Sequence, residues 1–395
     1  MLRALRFVTA GESHGPGLTA IVEGMPAGLE LDRDTMDHDM VRRQSGHGRG
    51  GRMKIEKDHV VVTSGVRFGK TLGGPISITV PNRDYANWEG RMNPWPVDTE
   101  PEPVKMPRPG HADLVGVWKY GADDVRNILE RASARETAAR VAGGTVARAF
   151  LKALGVEIRS RVTQIGPVHA PALDAPLSVD DFDGVDDDPV RCLDPEASRA
   201  MVKHITAQRK ANESIGGTYE VQVFGVVPGL GSHVSWEDRL GGRLAAAICS
   251  IQAHKGVEFG DGFELAAAPG SQAHDEIFNS PEEGVHRVTN HSGGMEGGMS
   301  TGQPIVLRAA VKPIPTLTKP LRSIDLDTGE PAQALRERTD SCVVPAAGVV
   351  GEAMVALVIA DAYRQKFGGD HIDDVIAAVD AYRERIGWQT AVTGG

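Results

Sequence analysis

A chain of 395 residues, 41% hydrophobic and 24% charged, is long enough to bury a large core and has the balance of a globular protein. Its net charge of -10 argues against a general nucleic-acid binder, and its three scattered cysteines, Cys192, Cys249 and Cys342, argue against a zinc ribbon or disulfide framework and fit a reducing cytoplasm. The start of the chain has no apolar signal region, and the longest apolar stretch, near 349–359, is shorter than the roughly 20 residues that span a bilayer.

Residues 5–8 and 18–23 read as short strands around a histidine-bearing turn. A helix is expected over 33–44, with Asp34 as its N-cap. Residues 58–67 and 75–80 are rich in Val, Ile and Thr and predict a strand pair. Prolines and acids at 91–109 predict an irregular loop. The clearest helical region is 123–153, with acids at its start, Arg131 and Arg135 on one face, and a bend at Gly143-Gly144. Residues 166–195 read as an exposed Pro/Asp-rich excursion. Then follow helices near 196–212 and 238–255, strands near 218–227 and 304–311, and helices near 345–366 and 370–386. Strand groups alternate with helix groups without a βαβ rhythm, so the expected class is α+β, in one domain over 1–395 with loop excursions near 91–109 and 166–195.

Chemistry concentrates in three loops. His14 and His111 sit in the glycine-flanked turns 10–15 and 108–113, and a histidine exchanges protons near neutral pH. Residues 41–54 gather Arg42, Arg43, Arg49, Arg52 and Lys54 with no acid, so this glycine-rich loop reads as a small-anion site, with a solvated loop or an RNA contact as competing readings. Asp340 follows Arg338 shortly before a long apolar helix; it is a candidate acid or a salt-bridge partner of Arg336 or Arg338. The segment 65–71 (GVRFGKT) is one residue short of a nucleotide-binding P-loop and leads into a strand-like run, so no nucleotide site is expected there. No G-x-G-x-x-G opens a helix after a strand, and nothing completes a ligand set around His274-Asp275-Glu276, so no metal is expected.

These segments together resemble the chorismate synthase family. The likeness runs in order through AGESHG, RRQSGHGRGGRMKIE, SGVRFGKTLGGPI, RPGHAD, ERASARETAARVAGG, IQAHKGVEFGDGF, SGGMEGGMSTGQPI, KPIPT and RTDSCVVPAAGVVGEAMVA. The resemblance implies a single-domain β-α-β sandwich assembled as a homotetramer. It implies anti-1,4 elimination of phosphate from 5-enolpyruvylshikimate 3-phosphate, giving chorismate with reduced FMN as cofactor. By the same likeness His14, His111 and Asp340 are catalytic. Ser13, Arg43, Arg49, Arg52, Arg135 and Arg338 hold substrate. Arg131, Ala132, Ser133, Gln252, Ala253, Gly297, Lys312, Pro313, Ile314, Pro315, Thr316 and Arg338 contact FMN. An external flavin reductase is the expected partner rather than NADPH on this chain, with no nucleic acid and no membrane. The sequence departs from many members at Gln252, usually Asn, at His254, usually apolar, and at Ser341 and Ala346 after the acid.

Overall fold

The computed structural model describes residues 2–51, 55–173, 175–281, 284–337 and 340–388. Two antiparallel sheets face each other across a helical layer. The first sheet has four strands in the order Arg6–Ala10, Gly17–Glu23, Ile76–Pro81, Val61–Ser64. The second has five, in the order His254–Phe259, Ile305–Val311, Gly217–Phe224, Glu157–Ile165, Val168–His169. Alternation in Gly17–Glu23 and Ile76–Pro81 turns Leu18, Ala20, Val22, Ile76, Ile78 and Val80 inward, where each is fully buried.

The helix Thr137–Ala153 packs on the first sheet and the helix Val344–Phe367 on the second, and the two helices pack on each other. Small residues make this close approach possible. A Cβ added at Gly144 would lie 2.4 Å from that of Ala353, and one at Gly143 would lie 2.3 Å from the Phe7 ring. The expected bend at Gly143-Gly144 is therefore corrected: both glycines lie inside a continuous helix as packing notches. The chain breaks instead at Ser133, whose extended backbone (φ -60°, ψ 143°) ends the helix Arg126–Ala132 and whose side chain accepts from the Arg135 N–H. That break also overturns the shared face of Arg131 and Arg135. Arg131 reaches Thr9 and Gly11, whereas Arg135 reaches Asn82 and Asp58.

Val344–Phe367 is, among the described residues, the one helix long and apolar enough to cross a membrane; 94% of its most apolar stretch is buried inside the molecule. Its two buried acids tie the layers together. Glu352 is fully buried and held by Arg42 at 2.8 and 2.9 Å, Arg191 at 3.1 Å and Arg148 at 3.3 Å, while Asp39 and Asp186 share the same arginines. Burial alone would raise the Glu352 carboxyl, but these guanidiniums win and hold it down at about 2. Asp361 accepts the N–H groups of Arg3, Ala4 and Leu5 and pairs with Arg243.

Other elements adjust the sequence reading. The helix Arg33–Gln44 forms as expected, but its cap is Asp32, which accepts from the Thr35 N–H, rather than Asp34. Residues 65–71 form a tight hairpin, Val66–Arg67 against Lys70–Thr71, in place of a phosphate loop. The excursion 166–195 is partly buried: Phe182 and Val185 pack with Phe224, and Arg191 sinks onto Glu352. The helix expected to reach 255 ends at Cys249, and the chain turns at Gln252-Ala253 into the strand His254–Phe259. Asp275 accepts from Thr289 and from the N–H groups of His291 and Ser292, so it organises a turn.

Candidate active site

A cavity of about 570 Å³ lies where the first histidine turn, the arginine loop, the 108–113 turn, the break at Ser133, the turn at 252–254 and the start of the core helix meet. His14, Arg49, His111 and Asp340 all line it, as do Ser13, Arg43, Arg135, Ala132, Ser133, Gln252, Ala253, Lys312, Ile314, Pro315 and Thr316. Arg131, Pro313 and Gly297 are not part of its wall. Gly297 sits in the turn of the hairpin Met295–Glu296/Met299–Ser300, which is fastened to Leu240 through the Gly298 carbonyl at 2.9 Å. Arg52 and Arg338 lie outside the described residues.

The two histidines are built alike. The His14 Nδ1 stands 2.9 and 3.0 Å from the Glu130 carboxylate oxygens, and its backbone N–H donates to the same carboxylate at 2.9 Å. Arg126 donates to Glu130 at 2.8 Å and reaches Glu337 at 3.3 Å. Burial would raise the Glu130 carboxyl, but the hydrogen bonds from His14 and Arg126 outweigh it and hold it below the ordinary range. An ionised carboxylate only accepts, so Nδ1 carries the proton and exchange with a ligand falls to Nε2. Trp88 lies against the imidazole with ring centroids 4.0 Å apart, and the Arg126 guanidinium lies over the same Trp88 ring at 4.9 Å.

At the other end His111 Nδ1 meets Asp113 at 2.5 Å, and Arg108 grips Asp113 at 2.8 Å. Burial opposes ionisation of Asp113, yet the His111 and Arg108 hydrogen bonds hold it well below the usual carboxylate range. Two further contacts join this turn to the Lys312–Thr316 segment. Arg108 donates to Thr316 Oγ1 at 3.1 Å, and Lys312 Nζ donates to the Gly110 carbonyl at 2.7 Å.

Between them stand the arginines. Arg49 pairs with Asp340 at 2.8 Å, and Asp340 also accepts the Gly50 N–H. Arg135 clasps Asp58 at 2.7 and 2.8 Å, and Arg43 reaches the same carboxylate at 3.2 Å. Burial pushes the Arg43 guanidinium down to about 9, with Asp58 opposing and the Arg135 and Arg49 charges adding to the fall. Among the described residues six cationic side chains line the cavity (Arg43, Arg49, Arg108, Arg135, Lys255, Lys312) against two carboxylates (Glu337, Asp340). The remaining wall is largely apolar: Leu129, Ile251, Val311, Ile314, Pro315, Ala346, Ala347 and Val350. Such a site suits a flat ring compound carrying several negative charges.

Sequence reasoning missed Glu130, Asp113, Arg108 and Asp58. Asp113 and Arg108 stand two and three residues from His111, so a search for carboxylates flanking the histidines would have found that pair. Glu130 lies 116 residues from His14, and only the fold joins them.

Known proteins resemble this chain over nearly its whole length. The family described as chorismate synthase matches residues 5–363. The chorismate synthase of Rubrobacter xylanophilus is 54% identical over 381 residues, covering 96% of this chain and 97% of that one. That of Thermobifida fusca is 54% identical over 391 residues, covering 97% and 99%. A crystal structure of chorismate synthase aligns with a TM-score of 0.78 and 42% identity over 98% of this chain and 99% of that chain. The chain belongs to the chorismate synthase family and is a lyase of the shikimate pathway.

Proposed function

We propose that this cavity eliminates phosphate from 5-enolpyruvylshikimate 3-phosphate in the anti-1,4 sense, giving chorismate, with reduced FMN as the cofactor. The observation that carries the reading is that two carboxylate-backed histidines, Arg49 and Asp340 share one cation-rich cavity. The substrate is a ring with two carboxylates and a phosphate, which matches the surplus of guanidiniums and ammoniums. The apolar wall and Lys312 fit a flavin ring with an anionic tail, and Gln252, Ala253, Ser133, Ala132, Ile314, Pro315 and Thr316 are the neighbouring contacts. Arg43, Arg49 and Arg135, with Ser13, are the substrate-binding set.

In this reading the C–O bond to phosphate breaks as a ring C–H bond breaks, and the C–H electron pair enters the new double-bond system. The chemistry a bound reduced flavin supplies is transient donation of electron density to the substrate ring, with no net redox change. His14, as the imidazolium, delivers its Nε2 proton to the departing phosphate and is left neutral with Nδ1–H on Glu130, while the guanidiniums stabilise the charge growing on the phosphate oxygens. Glu130 keeps the imidazole turned with Nδ1–H inward, and Trp88 keeps water from its face. His111, braced by Asp113, faces charge that develops at the cofactor end. Asp340 takes up the ring proton. Its present pairing with Arg49 must give way for that, and a substrate carboxylate offers Arg49 a replacement partner. Homotetrameric assembly, cytoplasmic location and flavin reduction by a separate enzyme rather than by NADPH here complete the reading.

The test is phosphate release under anaerobic conditions with chemically reduced FMN. Release that requires the reduced cofactor is expected; a folded protein that releases none overturns the proposal.

A further inference from the structure

His254 is buried in the cavity wall and both its ring nitrogens are engaged inside the protein. Nδ1 stands 3.0 Å from the Gln252 carbonyl, and Nε2 stands 2.7 Å from the Tyr219 hydroxyl. A carbonyl can only accept, so Nδ1 carries the proton and Nε2 accepts from the tyrosine. The tautomer is thereby fixed from both sides. Burial keeps the ring neutral, with its proton affinity pushed down to about 4. Tyr219 is itself fully buried and seated against Gly351, where a Cβ would lie 2.6 Å from the ring, so its hydroxyl cannot move away.

The target of this brace is unusual. Ala253 has φ +67°, in the left-handed region that side chains other than glycine avoid. Its neighbours are held on every side. The Gln252 carbonyl takes His254, the Gln252 amide donates to Glu136 at 3.0 Å, and the Ala253 carbonyl accepts the Lys312 N–H at 2.9 Å. A strained residue persists only where its surroundings overdetermine it, and such residues gather at ligand sites. Gln252, Ala253 and Lys312 all face the cavity.

We propose that His254, locked between Tyr219 and the Gln252 carbonyl, is a positioning residue that holds the Gln252–Ala253 turn in its left-handed form and thereby sets how tightly the cavity takes flavin. This rests on the flavin reading above. It assigns a role to a buried core tyrosine and to a histidine that makes no proton transfer.

The experiment is calorimetric titration of FMN, oxidised and dithionite-reduced, into the full chain and its variants Tyr219→Phe, His254→Leu and the double variant, with circular dichroism as the folding control. Each single variant is expected to bind flavin about tenfold more weakly, the loss of one well-placed hydrogen bond. The double variant should be no worse than the weaker single, because the two residues act as one brace. Turnover at saturating reduced FMN and the KM for substrate should stay within about twofold while the flavin requirement rises. Adding Ala253→Gly to His254→Leu should restore affinity, since glycine adopts the left-handed turn without support. Folded variants that bind flavin as tightly as the parent, losses that multiply in the double variant, or failure of the glycine rescue each overturn the inference. A parent chain that takes up no flavin overturns the cofactor reading instead.

Discussion

Two clusters of arginine and carboxylate share the same helices, with Arg42 in one and its neighbour Arg43 in the other, and they are put to different use. Around Glu352, three guanidiniums (Arg42, Arg148, Arg191) meet three carboxylates (Glu352, Asp39, Asp186). Every charge has its opposite, and the group joins the helices Arg33–Gln44, Thr137–Ala153 and Val344–Phe367. Around the cavity the charges are sorted by depth, with six cations and two carboxylates on the wall itself. Carboxylates are present there, but Glu130, Asp113 and Asp58 stand behind the wall and hold histidines and arginines in place. A balanced buried cluster is architecture; a surplus facing a cavity is a binding site for the missing sign.

The sharpest way to break this contrast is to unbalance the architectural cluster. Glu352→Gln leaves the buried Arg42 and Arg191 and the half-buried Arg148 short of a partner and is expected to cost about 3–5 kcal/mol of stability, read as a lower denaturation midpoint, while molecules that remain folded keep their turnover per site. A pH titration refines the point. The Glu352 carboxyl lies at about 2 in the fold against 4.5 in the unfolded chain, so its contribution is complete above 4.5 and drains away as pH falls from there toward 2. Glu352→Gln should flatten stability across that window, and an unchanged acid profile in that variant removes Glu352 from the account.

The cavity should answer in the opposite way. His14→Ala or His111→Ala is expected to lower the rate by ~10²-fold or more with the unfolding midpoint nearly unmoved, measured by phosphate release beside thermal denaturation. Near-normal rates in both would remove the histidines from the chemistry. A smaller effect separates the supporting carboxylate from the histidine it serves. Glu130→Gln should reduce kcat by ~10-fold, on the scale of one hydrogen bond to a charged group, and leave the substrate KM nearly unchanged. If KM moves and kcat does not, Glu130 shapes binding rather than His14.

Much of the architecture was legible because it is local. The helix Arg33–Gln44 is marked by an acid near its start and the strand Ile305–Val311 by its run of apolar residues, signals that a short window contains. Gly143-Gly144 misled for the converse reason. Two glycines weaken an isolated helix, but here they admit Phe7 and Ala353 from distant parts of the chain. The cap went to Asp32 over Asp34 because only a side chain three residues before Thr35 reaches its N–H. At the site, the histidines and arginines announced themselves through glycine-rich turns and gathered charge. Their partners did not: Glu130 sits in an ordinary helical stretch, and Asp58 reads as the start of a strand. Arg131 and Arg135 looked equivalent in sequence, and one turn at Ser133 sends them to different neighbours.

The latch between the two loops has a consequence for traffic. Lys312 holds the Gly110 carbonyl and Arg108 holds Thr316, so segments two hundred residues apart in sequence are tied to each other. Neither can swing aside by itself. Separating the strips breaks both hydrogen bonds, and amides in 108–112 and 312–316 are expected to exchange with solvent in step.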